Sequence, residues 1–334
     1  MAALYAMTLA ELAESLGGEG RAQAVMALLR EGKDPWTSLP PGASRRLKAA
    51  AGHTVLEQRL ETVASDGTRK LLVGLLDGRS IEMVLIPSPR RTTLCISSQV
   101  GCVRACSFCS TGTMGLLRNL EADEIVGQVV LGIQLAKQHG LPPLSNLVLM
   151  GMGEPLDNLA AVKQALAVIV GPSQLGIGRR HVTLSTVGPS AAAVKKAGAL
   201  EVPLAWSLHA AEESLRRRLI PTARASVEGL RDAFAEILGP RGDPLFVEMT
   251  LIEGLNDGPE QADAVFALFS GFPTEVRVNL LPMNAVPGAA MVASSEARVR
   301  AFKARLESHG LRALIRRARG AEEHAACGQL VSGR

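Results

Sequence analysis

The sequence predicts an α/β protein built on a parallel sheet, preceded by a helical segment and a few antiparallel strands. Two observations carry this. From about residue 92, short apolar runs alternate with longer amphipathic ones. That is the pattern of βα units, which assemble either into an open doubly wound sheet or into a full or partial (β/α) barrel. Polar, chemically distinctive residues then gather at the ends of the apolar runs, where a barrel of parallel strands collects its functional groups.

Residues 1–51 read as a helical domain. "TLAELAESLGG" starts at a cap candidate, Thr8, and stops at glycines. "GRAQAVMALLREG" spaces Ala, Val, Met and Leu along one face. "LPPGASRRLKAAAG" breaks at Pro40-Pro41 and resumes with Arg45, Arg46 and Lys48 outward. That basic edge suits nucleic-acid phosphate, and it equally suits an ordinary solvated face. Residues 52–90 read as a β-rich linker of strands "TVLEQRLETVAS", "RKLLVGLL" and "SIEMVLIP". Asp66-Gly67 and Asp77-Gly78 between them are hairpin signals.

Residues 91–334 hold the alternating part. Its strands are "TTLCISS", "NLVLMG", "HVTLSTV", "PLAWSLHA", "LFVEMTLI", "EVRVNLLP" and "RALIRRA". Helical runs such as "EADEIVGQVVLGIQLAKQHG" and "GPEQADAVFALFSG" separate most of them. A cysteine cluster follows the first strand and "GMGEP" the second; Ser185 and Thr186 end the third, Ser207 and His209 the fourth, and Asn284 the sixth. One rim shared by five strands implies one active site.

Composition narrows the class. Hydrophobic residues are 47% of the 334, enough for a large core. Aromatics are 3%, so Leu, Val, Ile and Ala do the packing, and widespread base stacking is excluded. A net charge of +4 and a pI near 8.9 are compatible with a nucleic-acid partner without requiring one. No apolar stretch reaches the roughly 20 residues of a membrane span. The first residues carry Glu11 and Glu14 instead of a basic start, unlike a secretory signal. Five cysteines, three of them crowded, do not form a secreted disulfide framework. A cytoplasmic protein with no membrane partner is expected.

The crowded stretch is "CVRACSFC", with Cys102, Cys106 and Cys109. Structural zinc favours four ligands, so a distant His would have to complete it. Buried structural thiols need no such spacing. An iron–sulfur cube has four irons, and three cysteines leave one iron free to bind a substrate. The spacing, on a loop after the first barrel strand, resembles the radical S-adenosylmethionine (SAM) superfamily. There the amino and carboxylate groups of SAM chelate the free iron. The resemblance implies one [4Fe-4S] cluster on Cys102, Cys106 and Cys109, reductive cleavage of SAM to a 5′-deoxyadenosyl radical, and a reductase as electron donor.

A wider resemblance follows. "CISSQVGCVRACSFCSTGTMGLLRNL", "GMGEPLDN", "LSTVG", "SLHA", "VNLLPMN" and "ACGQL" resemble the RlmN/Cfr family of RNA methyltransferases, over essentially the whole chain from about residue 68. This implies a partial barrel of the radical SAM type. It also implies a two-cysteine mechanism that consumes two SAM molecules per turnover. Cys327 would be methylated by one SAM, and a radical derived from a second would take hydrogen from its S-methyl group. The resulting carbon radical would add to a ring carbon of adenine. Cys95 would resolve the covalent protein–RNA adduct, leaving a Cys95–Cys327 disulfide to be reduced. Glu82 sits where the family has a proposed proton acceptor, although an acidic residue in a linker strand is ordinarily a surface group. Gly153, Glu154, Ser185, Ser207, Leu208, His209 and Asn284 match the family's SAM positions.

The implied target is C2 of an adenosine in 23S-type ribosomal RNA, with transfer RNA as an open second target. Pro282 and Pro287-Gly288 favour C2 over C8. "NAVPG" and Leu116 depart from the usual family pattern, in stretches expected to touch RNA. Two rivals stay open at this level: a radical SAM enzyme acting on a small molecule or peptide, and a zinc-dependent RNA-binding protein.

Overall fold

A computed structural model of the chain describes residues 2–54, 56–284, 291–316, 319–320 and 323–330. Local signals set the first helices. Thr8 and Glu11 form a reciprocal capping box at α1 (Leu9–Leu16), which Gly17 ends at φ 69°. α2 (Glu19–Arg30) follows, then α3 (Pro35–Ser38), capped by Asp34, and α4 (Pro41–Ala50). Arg45, Arg46 and Lys48 are exposed on α4.

The buried faces of these helices do not make a core of their own. Leu12, Val25, Met26, Leu29 and Leu47 belong to one continuous apolar cluster that also holds Ile125, Val126 and Val129. The approach is close: a Cβ on Gly32 would stand 2.5 Å from the backbone nitrogen of Gln134. The helical segment is packed onto the barrel.

β1 (Glu57–Val63), β2 (Arg69–Gly74) and β3 (Ser80–Ser88) form an antiparallel meander. Its turns use Gly67 at φ 80° and Gly78 at φ 85°. Asp66 and Asp77 each accept a hydrogen bond from the backbone N–H two residues on, at 2.9 and 3.1 Å. β3 pairs antiparallel with β4 (Arg91–Cys95), placing Val84 opposite Cys95. The predicted linker strands are therefore part of the main sheet. They cover what would otherwise be an open edge of backbone donors and acceptors at β4.

After β4 come a two-stranded ribbon, β5 (Gln99–Gly101) and β6 (Leu116–Asn119), with the short α5 (Ser110–Thr113) between them. The alternating part is α6 (Ala122–Gln138), β7 (Leu144–Leu149), α7 (Leu159–Ile169), β8 (Val182–Thr186), α8 (Ala191–Gly198) and β9 (Leu204–Ser207). It continues through α9 (Glu213–Leu219), α10 (Val227–Leu238), β10 (Leu245–Leu251), α11 (Pro259–Phe269), β11 (Val276–Pro282), α12 (Glu296–Ser308) and β12 (Arg312–Ile315). The main sheet runs β1-β2-β3-β4-β7-β8-β9-β10-β11-β12. Pairing is parallel from β4 to β12. Its two ends do not join, so the barrel is partial.

The parallel strands are apolar outward, towards the helices. In β10, Leu245, Val247, Met249 and Leu251 are fully buried, while Phe246, Glu248 and Thr250 alternate with them and face inward. The lumen is thus partly polar, the condition for a site inside it. Among the described residues no helix is long and apolar enough to cross a membrane.

Candidate active site

The cysteine loop hangs between β5 and β6. Its neck is narrow: a Cβ on Gly101 would lie 1.9 Å from the Gly115 oxygen, and Cys102 N donates to that oxygen at 2.9 Å. Gly101 is at φ 78°, so this crossing needs glycine twice over. Within the loop Ala105 adopts φ 53°, and Arg104 N points at Cys102 Sγ over 3.4 Å. The Arg104 guanidinium clamps Asp157, which fixes the loop against the segment after β7.

Burial pushes the Cys102 thiol up to about 12 and raises Cys106 and Cys109 as well, with neighbouring cysteines adding to the effect on Cys102 and Cys106. Thiols so disfavoured as anions need bound cationic metal to ionise. Among the described residues no three His, Cys, Asp or Glu side chains converge on a point for one metal ion. A cube spreads its cysteines over separate irons and needs no such convergence. Arg216, only 2% exposed, adds a buried positive charge that acts on Cys106 and Glu154. The three cysteines fit the cluster.

A cavity of about 160 Å³ adjoins Cys106 and Cys109 at the C-terminal ends of the strands. Gly151 presses on β4's exit, where a Cβ would meet the Ile96 carbonyl at 2.6 Å. Gly153, at φ 101°, leaves no space for a Cβ against Gln99. Glu154 is 3% exposed; its two oxygens accept backbone N–H groups of Leu156 at 3.0 Å and Val187 at 2.9 Å. Burial raises its pKa to about 7. Carboxylate oxygens have lone pairs to spare, so an ammonium can still be received.

Ser185 and Ser207 pair at 3.1 Å between their hydroxyls. His209, at φ 60°, accepts from Thr250 N through Nδ1 at 3.0 Å. Burial, reinforced by Arg216, lowers its pKa to about 3, so it is neutral. These side chains all face the cavity, with Asn284 and Cys327. Leu208 is fully buried and lines neither this cavity nor the next; Cys102, buried at the loop's base, also lines neither.

A second cavity, about 410 Å³, lies below the first. Strand periodicity relates the two. Ser185 and Thr250 face the upper one, while Thr183 and Phe246, two and four residues nearer the starts of the same strands, face the lower. Glu248, Asn284 and Cys327 line both. Cys95 lines the lower one only.

Cys327 is therefore exposed to cavity space within the fold. Its segment is tied to the cysteine loop. Ser110 N donates to the Gly328 oxygen at 2.7 Å, Thr111 Oγ1 to the Leu330 oxygen at 2.6 Å, and Asn284 Nδ2 to the Cys327 oxygen at 3.0 Å. Burial, then the Glu248 carboxylate, pushes the Cys327 thiol up to about 11. Burial, then Cys327, raises Cys95 too, and both residues line the lower cavity. All five cysteines are free thiols, so the Cys95–Cys327 disulfide implied by the resemblance is not formed here.

Glu82 is not a surface group. It lies in β3, 4% exposed, with its carboxylate 3.3 Å from Lys70 Nζ. It lines neither cavity, but strand alternation puts it on the face of β3 that carries Val84, opposite Cys95. Sequence reasoning passed over Glu248, Asn279 and Thr250. The signal was present: a lone carboxylate in an apolar parallel strand is costly unless it faces a polar lumen.

Residues 96–265 match the family model of the Radical SAM superfamily. The chain is 41% identical over 344 residues to a probable RNA methyltransferase of Sorangium cellulosum, covering 98% of this chain and 86% of that protein. It is 45% identical to the dual-specificity RNA methyltransferase RlmN of Syntrophobacter fumaroxidans, over 80% of this chain and 78% of the relative. A radical SAM methyltransferase from Sphaerobacter thermophilus superposes with TM-score 0.92 at 37% identity, covering 99% of each chain. Membership of the radical SAM superfamily implies a [4Fe-4S] cluster and SAM. The chain belongs to the RlmN/Cfr family of radical SAM RNA methyltransferases and is a SAM-dependent methyltransferase.

Proposed function

We propose that this enzyme methylates C2 of an adenosine in 23S-type ribosomal RNA, with transfer RNA as a second target, in the cytoplasm. The observation that carries this reading is the position of Cys327, between a cavity bordered by the cluster cysteines and one bordered by Cys95. A thiol that must first receive a methyl group and later surrender it needs access to both.

SAM is a substrate twice in each turnover. Gly153 and Glu154 receive its amino group, and Ser185, Ser207, His209 and Asn284 border the rest, with Leu208 supporting Ser207 and His209 from the core. Cys102, Cys106 and Cys109 would hold the cluster, which supplies the electron for radical chemistry when a reductase has charged it. Cys327 takes the methyl group in the upper cavity. The target adenosine enters the lower one, where Arg91, Arg316 and Arg319 border the opening and Phe246 offers an aromatic wall. Glu82, on the Cys95 face of β3, accepts the proton lost by the adduct. With the adduct's unpaired electron returned to the cluster, Cys95 would attack the Cys327 sulfur as its thiolate; the methylene carbon released takes up a proton to complete the methyl group, and external thiols reduce the disulfide formed.

Residues 1–51, packed on the barrel, extend the RNA surface through Arg45, Arg46 and Lys48, with 52–90 joining them to the barrel at 91–334. Near the end of the chain Arg312 pairs with Glu275 at 3.3 Å, Arg316 donates to Asn279, and Arg317 lies outside the described residues.

Isotope routing tests the chemistry. With a trideuterated SAM methyl group, one deuterium should leave in 5′-deoxyadenosine and two should remain on the adenine methyl. Mass spectrometry of the modified nucleoside, with standards for C2 and C8 methyladenosine, reads both retention and position. Three retained deuteriums would mean direct transfer and overturn the mechanism; the C8 isomer would overturn the site.

A salt titration tests the RNA surface. Replacing Arg45, Arg46 and Lys48 together by Gln should lower the slope of log affinity against log salt by about 2 to 3. An unchanged slope would return α4 to the role of a solvated face.

A further inference from the structure

We infer that Glu248 accepts the thiol proton of Cys327 as that cysteine takes its methyl group. The inference rests on the proposed role of Cys327 as methyl carrier. A thiol attacks a sulfonium methyl group as its thiolate, so the S–H bond must break as the S–CH3 bond forms. The methyl–sulfonium bond of SAM breaks in the same step and leaves S-adenosylhomocysteine. One proton is released, and no electrons are exchanged.

The structure narrows what can take that proton. Within the upper cavity, His209 accepts from Thr250 N through Nδ1, so its neutral ring carries hydrogen on the other nitrogen and has no free lone pair. Glu154 lines the upper cavity only and is the proposed partner of the SAM ammonium. Cys106 and Cys109 are the proposed iron ligands. In the lower cavity Cys95 is itself a buried thiol, and Arg91, Arg316 and Arg319 are cations.

Glu248 is the carboxylate that shares both cavities with Cys327. It is the foremost charge acting on that sulfur. Asn279 Nδ2 donates to its Oε1 at 2.7 Å, and Arg316 Nε donates to Asn279 Oδ1 at 2.9 Å. The arginine decides which way the amide faces, so the amide holds one carboxylate oxygen from the side of β11. Glu82 would then serve the adduct and Glu248 the methyl carrier: two carboxylates, one for each half of the reaction.

The test is made on cluster-loaded protein without RNA, where only Cys327 methylation is followed, by intact mass and peptide mapping. Glu248→Gln keeps an oxygen for Asn279 but cannot take a proton. At pH 7 its methylation rate should fall about 100- to 10,000-fold, the usual weight of a general base. SAM affinity should stay within about threefold. The residual rate should climb roughly tenfold per pH unit as the thiol ionises unaided, while the wild-type rate stays nearly flat near neutrality.

A second readout needs no SAM. The pH midpoint for alkylation of Cys327 by iodoacetamide should drop in E248Q, because a neighbouring negative charge is gone. Glu248→Asp should retain the flat pH profile at reduced rate, and it serves if E248Q fails to hold the cluster. Near wild-type methylation in E248Q, a loss independent of pH, an unmoved alkylation midpoint, or a rising profile in E248D would each overturn the inference. If wild-type Cys327 itself acquires no methyl group, the proposed function fails instead, so the two failures are distinguishable.

Discussion

Cys95→Ala protein incubated with RNA, SAM and reductant is expected to accumulate as a covalent protein–RNA species joined through Cys327. The expectation follows from the order of bond making. Cys327 faces the upper cavity and can still be methylated there, and it also faces the lower cavity where the base would be received. What the variant lacks is the one other thiol that lines the lower cavity. With no sulfur to attack Cys327, the adduct has no exit. The substitution itself is mild: it removes one sulfur atom from a site 6% exposed, at a cost of roughly 1 to 2 kcal/mol, so the fold persists. Cys327→Ala should behave oppositely. It has no methyl carrier, and both product and adduct should fall by at least about three orders of magnitude. Denaturing electrophoresis with labelled RNA, followed by nuclease digestion and peptide mass analysis, reads both variants. Released product at the wild-type rate from the Cys95 variant would sink the resolving role.

The second large effect concerns the loop between β5 and β6. Alanine at Cys102, Cys106 or Cys109 should reduce bound iron from about four per chain towards zero after anaerobic reconstitution, and SAM cleavage should vanish with it. The loop's shape survives these changes, because its neck is held by the Gly101–Gly115 crossing and its flank by the Arg104–Asp157 clamp, neither of which uses a thiol side chain. Loss of iron in a folded protein, judged by an unchanged circular dichroism spectrum, is therefore the expected pattern. Full iron content with cleavage in any one variant would remove that cysteine from the cluster.

Much of this was legible along the chain, and the legible part is local. The three cysteines lie within one short loop, so their spacing could be read directly, and its resemblance to the radical SAM pattern pointed to an iron–sulfur centre. The turns at Asp66-Gly67 and Asp77-Gly78, the Thr8–Glu11 box and the alternation of apolar strand and amphipathic helix are likewise relations among near neighbours, set by backbone preferences and side-chain periodicity. The pairing of Cys95 with Cys327 came from resemblance, because no local rule joins residues so far apart in sequence.

The tertiary structure decided the rest. Alternation in "LFVEMTLI" separates two faces, but only the curvature of the parallel sheet makes one of them the wall of a lumen, and so turns Glu248 from an oddity into a cavity group. Pairing of β3 with β4 drew the expected linker into the main sheet and buried Glu82 beside Lys70, where a linker strand promised a surface carboxylate. Leu208, next to two residues that face the upper cavity, is buried away from it. Sheet register, barrel curvature and the docking of the C-terminal segment are sums of long-range hydrogen bonds and packing. Their outcome depends on which distant strand a residue meets, and that is information no short stretch of sequence contains.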